Sequence, residues 1–412
     1  MGGKRRAFLK ITGLMVCAAI LAFNYSAPMR AVRELPDEIY GSYQLNAGRW
    51  PFFTVETPDG DTAAVASDLG ETLGGPAGSK IEIALFGRIP IKTIQTHPAE
   101  SRMVMPGGCA VGITMHTNGL LVVGLGSFTS SGIRTCPAEA AKLRAGDIIV
   151  SANGADLLST LDFTAAISSG GPVELIYKRG GESRSATLVP MQDDDTGGFR
   201  AGMWIRESTV GIGTLSYYFM EDGHFGALGH AVTDIDTGAT IEIRKGTVVS
   251  ANVIGVLAGV QGAPGELRGT FGSRSQELGS ITANTELGVF GDMSGLWVNP
   301  LYPDGVELAR PDEAVLGAAT LLTTVDEGGV KEYSCEIMKL SEDGPLQKSM
   351  VVKVTDEELI ALTGGIVQGM SGSPVIQNGK LIGAITHVLV NDPTRGYGIS
   401  IKAMITAGEE AA

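Results

Sequence analysis

The run Gly369-Met-Ser371-Gly-Ser-Pro374-Val-Ile-Gln-Asn378-Gly379 decides how this chain is read. Pro374 to Ile376 opens a short apolar strand, Asn378-Gly379 signals a two-residue hairpin turn, and Ser371 falls on the tight glycine-flanked loop before them. A serine nucleophile needs exposure, and the oxyanion formed by its attack needs two converging backbone N–H groups. Glycine flanks permit the required backbone conformation and a close approach of substrate. Gly369 and Ser371 are the candidate oxyanion-hole donors. Because glycine and serine also make ordinary hairpins, the loop needs a partner base elsewhere in the chain.

There are 5 histidines. His230 lies in Gly226-Ala-Leu-Gly-His-Ala-Val-Thr-Asp234, between glycines and a turn, and precedes the serine, which makes it the candidate general base. His387, inside the apolar run Leu381 to Val390, is the rival. His224 reads as a solvated turn residue, and His97 and His116 fall in earlier segments. A carboxylate should orient the imidazole. Asp234, Asp236, Asp292, Asp304, Asp312, Asp326, Asp343 and Asp356 all lie between His230 and Ser371, and the residues alone do not choose among them. Gly291-Asp-Met-Ser294-Gly imitates a nucleophile loop but lacks the proline and the Gly-x-Ser spacing.

Around this core the chain reads as mainly β. Short apolar runs from Gly211 onward, separated by Pro264-Gly265, Asp304-Gly305 and Gly328-Gly329, predict a barrel or sandwich over residues 192–412. A length of 412 residues calls for two or three domains. The net charge of -14 argues against nucleic acid as a partner. With Cys17 in the N-terminal apolar run, Cys109, Cys136 and Cys335 form an odd set and no disulfide framework. No zinc signature occurs, so neither a metal nor another cofactor is expected.

Toward the N-terminus, Lys4, Arg5, Arg6 and Lys10 precede the uncharged run Ile11 to Phe23, which predicts a signal peptide or signal anchor over 1–27 and export of the remainder. Residues 28–95, with alternating stretches such as Lys80 to Phe86, predict a small β segment. Over 96–191 an apolar strand, a short helix, Ala145-Gly-Asp-Ile-Ile-Val-Ser-Ala-Asn-Gly154 and a second helix follow in order. That succession resembles a bacterial PDZ domain, an α+β fold. The resemblance implies capture of an extended peptide, with the amides of Ala110, Val111, Gly112 and Ile113 as the expected carboxylate-holding loop. The acidic stretch Gln192 to Gly198 marks the boundary of the second half.

The nucleophile loop resembles that of chymotrypsin-like peptidases. Together with Leu85 to Lys92, Asn118 to Gly124, Gly226 to Gly238, Gly262 to Gly269 and Thr363 to Pro374, it resembles the stage IV sporulation protein B (SpoIVB) serine peptidases of endospore-forming bacteria. That resemblance implies a chymotrypsin-like β-barrel domain with Ser371, His230 and Asp356 as catalytic residues. It further implies an exported, membrane-associated endopeptidase in the forespore intermembrane space. Such an enzyme cleaves itself and a membrane-bound regulator of the pro-sigma-K processing complex, a signalling step of sporulation. Two features depart from the chymotrypsin pattern: Asp356 lies close before the serine, and Met370 replaces the aspartate that pairs with a freed N-terminus. Competing readings are a generic exported PDZ quality-control protease, whose protease part precedes its PDZ domain, and a PDZ adaptor with an inactive peptidase half.

Overall fold

A computed structural model describes Met15, Ala18 and residues 21–35, 37–40, 42–44, 53–56, 62–64, 72–74, 79–97, 102–238, 240–271, 276–295, 297–341 and 345–411. Most of the expected signal or anchor segment lies outside these residues. Among the described residues no helix is long and apolar enough to cross a membrane. The chain divides into two compact units, residues 1–101 and 102–412.

The first unit holds a five-stranded sheet, with strands Ile89–His97 and Lys80–Leu85 at its centre. Alternation places Ile81 and Ile83 on one face, where they join Ile39, Phe53 and Ile94 in a core closed by Met29 and Val32. These last two sit on the helix Ala27–Glu34, which begins at Ser26, whose side chain accepts from the Met29 N–H. The described part of this region consists of short strands and one helix.

The second unit is built on two closed barrels. In the first, strands β1 (Ala110–Leu125), β2 (Met203–Phe219), β3 (His224–Ala227), β4 (Ile243–Ser250), β5 (Glu277–Thr285) and β6 (Gly288–Met293) pair antiparallel in the cyclic order β1-β4-β5-β6-β3-β2. In the second, β7 (Gly317–Thr323), β8 (Lys331–Leu340), β9 (Met350–Val354), β10 (Pro374–Gln377), β11 (Lys380–Val388) and β12 (Arg395–Ser400) close in the order β7-β8-β9-β12-β11-β10. Closure leaves neither sheet a free edge. Each barrel is filled by its own inward residues: Val111, Ile113, Met115, Leu215, Val248 and Val289 in the first, Leu321, Ile337, Val352, Val375 and Ile385 in the second.

An α+β segment is inserted within the first barrel, between β1 and β2. It uses the far half of β1 with strands Ile148–Ala152, Val173–Arg179 and Glu182–Leu188 and helix α1 (Thr160–Ile167). Leu120, Val122, Ile149, Phe163, Ile167 and Leu175 form its core. The Gly-Asp of the sequence signature has a structural reason. Buried Asp147 accepts from the Arg144 N–H at 2.8 Å and takes both Nε and Nη2 of Arg179, at 2.6 and 2.7 Å, tying a turn to a strand.

Two expectations are corrected here. The barrel does not begin at residue 192, because β1 supplies its first strand from Ala110, ahead of the insertion. Ala110, Val111, Gly112 and Ile113 are not a carboxylate-holding loop. They lie inside β1, opposite Thr214 to Gly211 of β2 on one edge and, from Val111, opposite Ser250 to Val248 of β4 on the other. Their amides face neighbouring strands, so no edge is left there for a peptide.

Candidate active site

Ser371 and His230 come from different barrels. His230 follows β3 of the first through the turn Leu228-Gly229, where both residues adopt positive φ. Ser371 sits on the loop before β10 of the second. Both line a cavity of about 880 Å³, together with Gly369, Gln368, Thr386 and His387.

Thr214 of β2 holds the nucleophile loop at two points. Its N–H donates to the Ser371 carbonyl at 3.0 Å, and its hydroxyl donates to the Gly369 carbonyl at 2.8 Å. This close approach explains Gly372, whose φ is +95°: a Cβ there would lie 2.1 Å from the Thr214 carbonyl oxygen. Met370 is fully buried in the second barrel's core and anchors the loop from beneath. With the two carbonyls engaged, the N–H groups of Gly369 and Ser371 have no acceptor among the described residues, as an oxyanion hole requires.

The Ser371 hydroxyl donates to the Thr386 carbonyl at 2.8 Å. To give its proton to an imidazole it must rotate away from that carbonyl. His230 Nδ1 lies 2.8 Å from the Ala231 carbonyl, and since a carbonyl only accepts, Nδ1 carries the proton and Nε2 keeps a free lone pair. Burial, partly opposed by this hydrogen bond, holds the His230 pKa below its ordinary 6.5, so the ring is neutral at pH 7. His387 packs against it, with ring centroids 5.0 Å apart. Partial burial of its ring, then the neighbouring His230 and Lys348, push His387 down to about 4.

The loop after His230 is held by Asn284, which the sequence did not single out, and by Asp234, one of the candidate aspartates, here in a structural role. Asn284 accepts from the Val232 N–H at 2.8 Å and donates to the Val232 and Ile241 carbonyls at 2.9 and 3.1 Å. Buried Asp234 accepts from the Thr237 N–H at 3.0 Å and pairs with Arg206 of β2. No local motif marks Thr214 or Asn284, because their partners lie far along the chain.

Asp356 lies elsewhere. It is the N-cap of helix α2 (Glu357–Thr363), with Oδ1 accepting from the Leu359 N–H at 3.1 Å and Oδ2 from the Ser334 N–H at 3.2 Å. It does not line the cavity. Among the described residues no carboxylate is hydrogen-bonded to His230. His224 pairs with Asp292 on adjoining strands, and His116 faces Ser208 and Lys245 in the β1 ladders. The His97 side chain lies outside the described residues. Desolvation pushes the half-buried Cys109 thiol and the buried Cys335 thiol up to about 12, which keeps both protonated and unreactive.

The SpoIVB peptidase S55 family matches residues 197–405. That span starts after the insertion and takes in five strands of the first barrel and all of the second. A search of the curated proteins finds no match. Among solved structures, the active form of the Rv3671c protease from M. tuberculosis is similar at 14% identity, over 49% of this chain and 74% of that one, with a TM-score of 0.30. The HtrA-type protease AlgW with a decapeptide is similar at 12% identity, over 50% and 54%, with a TM-score of 0.29.

Two outcomes follow from this geometry. Thr214→Val keeps the backbone clamp and removes a hydrogen bond worth about 0.5–1.5 kcal/mol, so kcat should fall up to about tenfold with KM little changed. An unchanged kcat on a peptide substrate would refute the clamp. Because the base must be neutral and its pKa is depressed, the acid limb of kcat/KM should lie below pH 6.5 and stay in place in His387→Ala. A limb above 6.5 would contradict the depressed pKa, and one abolished by His387→Ala would give the role of base to His387.

Proposed function

The chain belongs to the SpoIVB peptidase S55 family, a family of serine peptidases, and we propose that Ser371 is its nucleophile and His230 its general base. The carrying observation is that two barrels, each closed on itself, bring these residues to one cavity while two loop amides are left to receive an oxyanion. Ser371 Oγ rotates from Thr386, passes its proton to His230 Nε2 and attacks the scissile carbonyl. The negative oxygen forms beside the N–H groups of Gly369 and Ser371. His230 then protonates the leaving amine, and water repeats the sequence on the acyl-enzyme.

For the group that orients His230, two assignments make opposite predictions. The family resemblance gives the role to Asp356. The contact to Nδ1 favours the Ala231 carbonyl, which fixes the same tautomer without a charge. Asp356→Asn separates them: asparagine still caps the helix through its one oxygen, and the Ser334 N–H contact it gives up costs stability, about 0.5–1.5 kcal/mol, which is read separately from kcat. A loss approaching about 10⁴ in kcat would assign the acid to Asp356, whereas a change within about threefold would leave the carbonyl as orienting group.

At the level of biology, we propose an exported endopeptidase that cleaves itself and a membrane-bound regulator of pro-sigma-K processing during sporulation. Its α+β insertion acts as a PDZ-type binder of extended peptides, without the carboxylate-holding loop expected at Ala110 to Ile113. Support comes from the family, from the basic and apolar N-terminal sequence, and from the strand-helix order of the insertion. Self-cleavage of the purified chain, followed by N-terminal sequencing of the fragments, tests the enzymatic part. Ser371→Ala and His230→Ala should abolish processing, and Ser294→Ala, in the exposed imitation loop, should leave it intact. Continued processing in Ser371→Ala would sink the assignment.

A further inference from the structure

Along its 17 residues β2 serves two structures. The part from Ser208 closes the first barrel. The part before it runs antiparallel to the far half of β1, with Met203 opposite Leu125, Trp204 opposite Gly124, Ile205 opposite Val122 and Arg206 opposite Leu121. The same strand also contacts helix α1. The Thr160 N–H at the start of α1 donates to the Glu207 carboxylate at 2.6 Å. Beyond the other end of α1, Phe199 lies against Gly170, where a Cβ would meet its ring at 2.3 Å. Met203 and Ile205 pack into the core of Val122, Phe163 and Ile167, while Trp204 between them is 62% exposed. At the strand's end the Thr117 hydroxyl donates to the Gly119 and Glu207 carbonyls, at 2.5 and 3.2 Å.

An extended segment added to a sheet edge beside a helix, with alternate side chains in pockets, is the geometry of peptide capture by strand addition. Here the segment is part of the chain. We propose that Met203–Glu207 is a built-in ligand of this groove, and that an extended peptide with apolar residues at alternate positions enters only by displacing it. The proposal rests on the peptide-binding reading of the insertion. It also ties the groove to the active site. Arg206, within the displaced strand, pairs with Asp234 and, at 2.6 Å, with Asp236, in the loop after His230. The same strand continues to Thr214, which holds the nucleophile loop. A peptide that lifts the strand therefore loosens the support of the base.

The test uses the full chain carrying Ser371→Ala, so that self-cleavage does not consume it. The probe is a dye-labelled synthetic peptide Ala-Gly-Met-Trp-Ile-Arg-Glu, the sequence of residues 201–207, with a free C-terminus. Binding is followed by anisotropy and by amide hydrogen exchange of residues 203–207. A groove filled by its own chain lowers apparent affinity by the fraction of time it is open. Adding Met203→Ala and Ile205→Ala, which weaken the built-in strand, should tighten peptide binding about tenfold or more. Adding Ile254→Ala, at an exposed position outside the insertion and outside this strand, should change it by less than about twofold.

In the chain with its native strand, saturating peptide should speed exchange at residues 203–207, a readout that does not depend on how the double variant folds. Binding with those amides still protected would overturn the built-in ligand and leave the peptide-binding reading standing. Absence of binding in every variant would overturn both.

Discussion

Thr214 is the constraint on which the candidate site depends. A serine on a glycine-flanked loop has no fixed direction of its own, because the glycines that admit substrate also free the backbone. Here the loop is gripped from the opposite barrel, by a main-chain N–H at the Ser371 carbonyl and a side-chain hydroxyl at the Gly369 carbonyl. Those contacts hold the Gly369 and Ser371 carbonyls toward the first barrel, while the N–H groups of the same two residues, the candidate oxyanion donors, have no acceptor among the described residues. They also fix the approach of the barrels, since Gly372 leaves no room for a side chain between them. Preorganisation of this kind means that the donors need not reorganise when charge develops.

His230 is managed by comparable means. Its turn is set by Leu228 and Gly229 in the left-handed region, its loop by Asn284 and the Arg206–Asp234 pair, and its tautomer by the carbonyl of the next residue. Burial keeps it neutral, which suits a base, and His387 beside it is depressed further. A ring held this way does not need a charged partner to present Nε2, although the imidazolium formed in the reaction would gain from one.

Some of this was legible in the sequence. The Ser371 loop and the Gly-His230 turn are local patterns that a few residues mark as candidates, and both line one cavity, while Ile81 with Ile83 shows strand alternation directly. Less legible were features created by contacts distant in sequence. Ala110 to Ile113 reads equally as a glycine-containing loop or as a strand, and only its pairing with β2 and β4 decides. The insertion looked like a domain ahead of the peptidase because nothing local shows that one strand belongs to both. An aspartate before a helix reads the same whether it caps that helix or orients a histidine, and Asp356 is seen in the first role.

We propose that Ser371 becomes nucleophilic through His230. The direct measurement is labelling of the full chain with a fluorophosphonate, followed by peptide mapping of the phosphonylated residue. A single adduct on Ser371 Oγ is expected, lost in His230→Ala and retained in His387→Ala. An adduct on another serine, or labelling of Ser371 that survives His230→Ala, would contradict it.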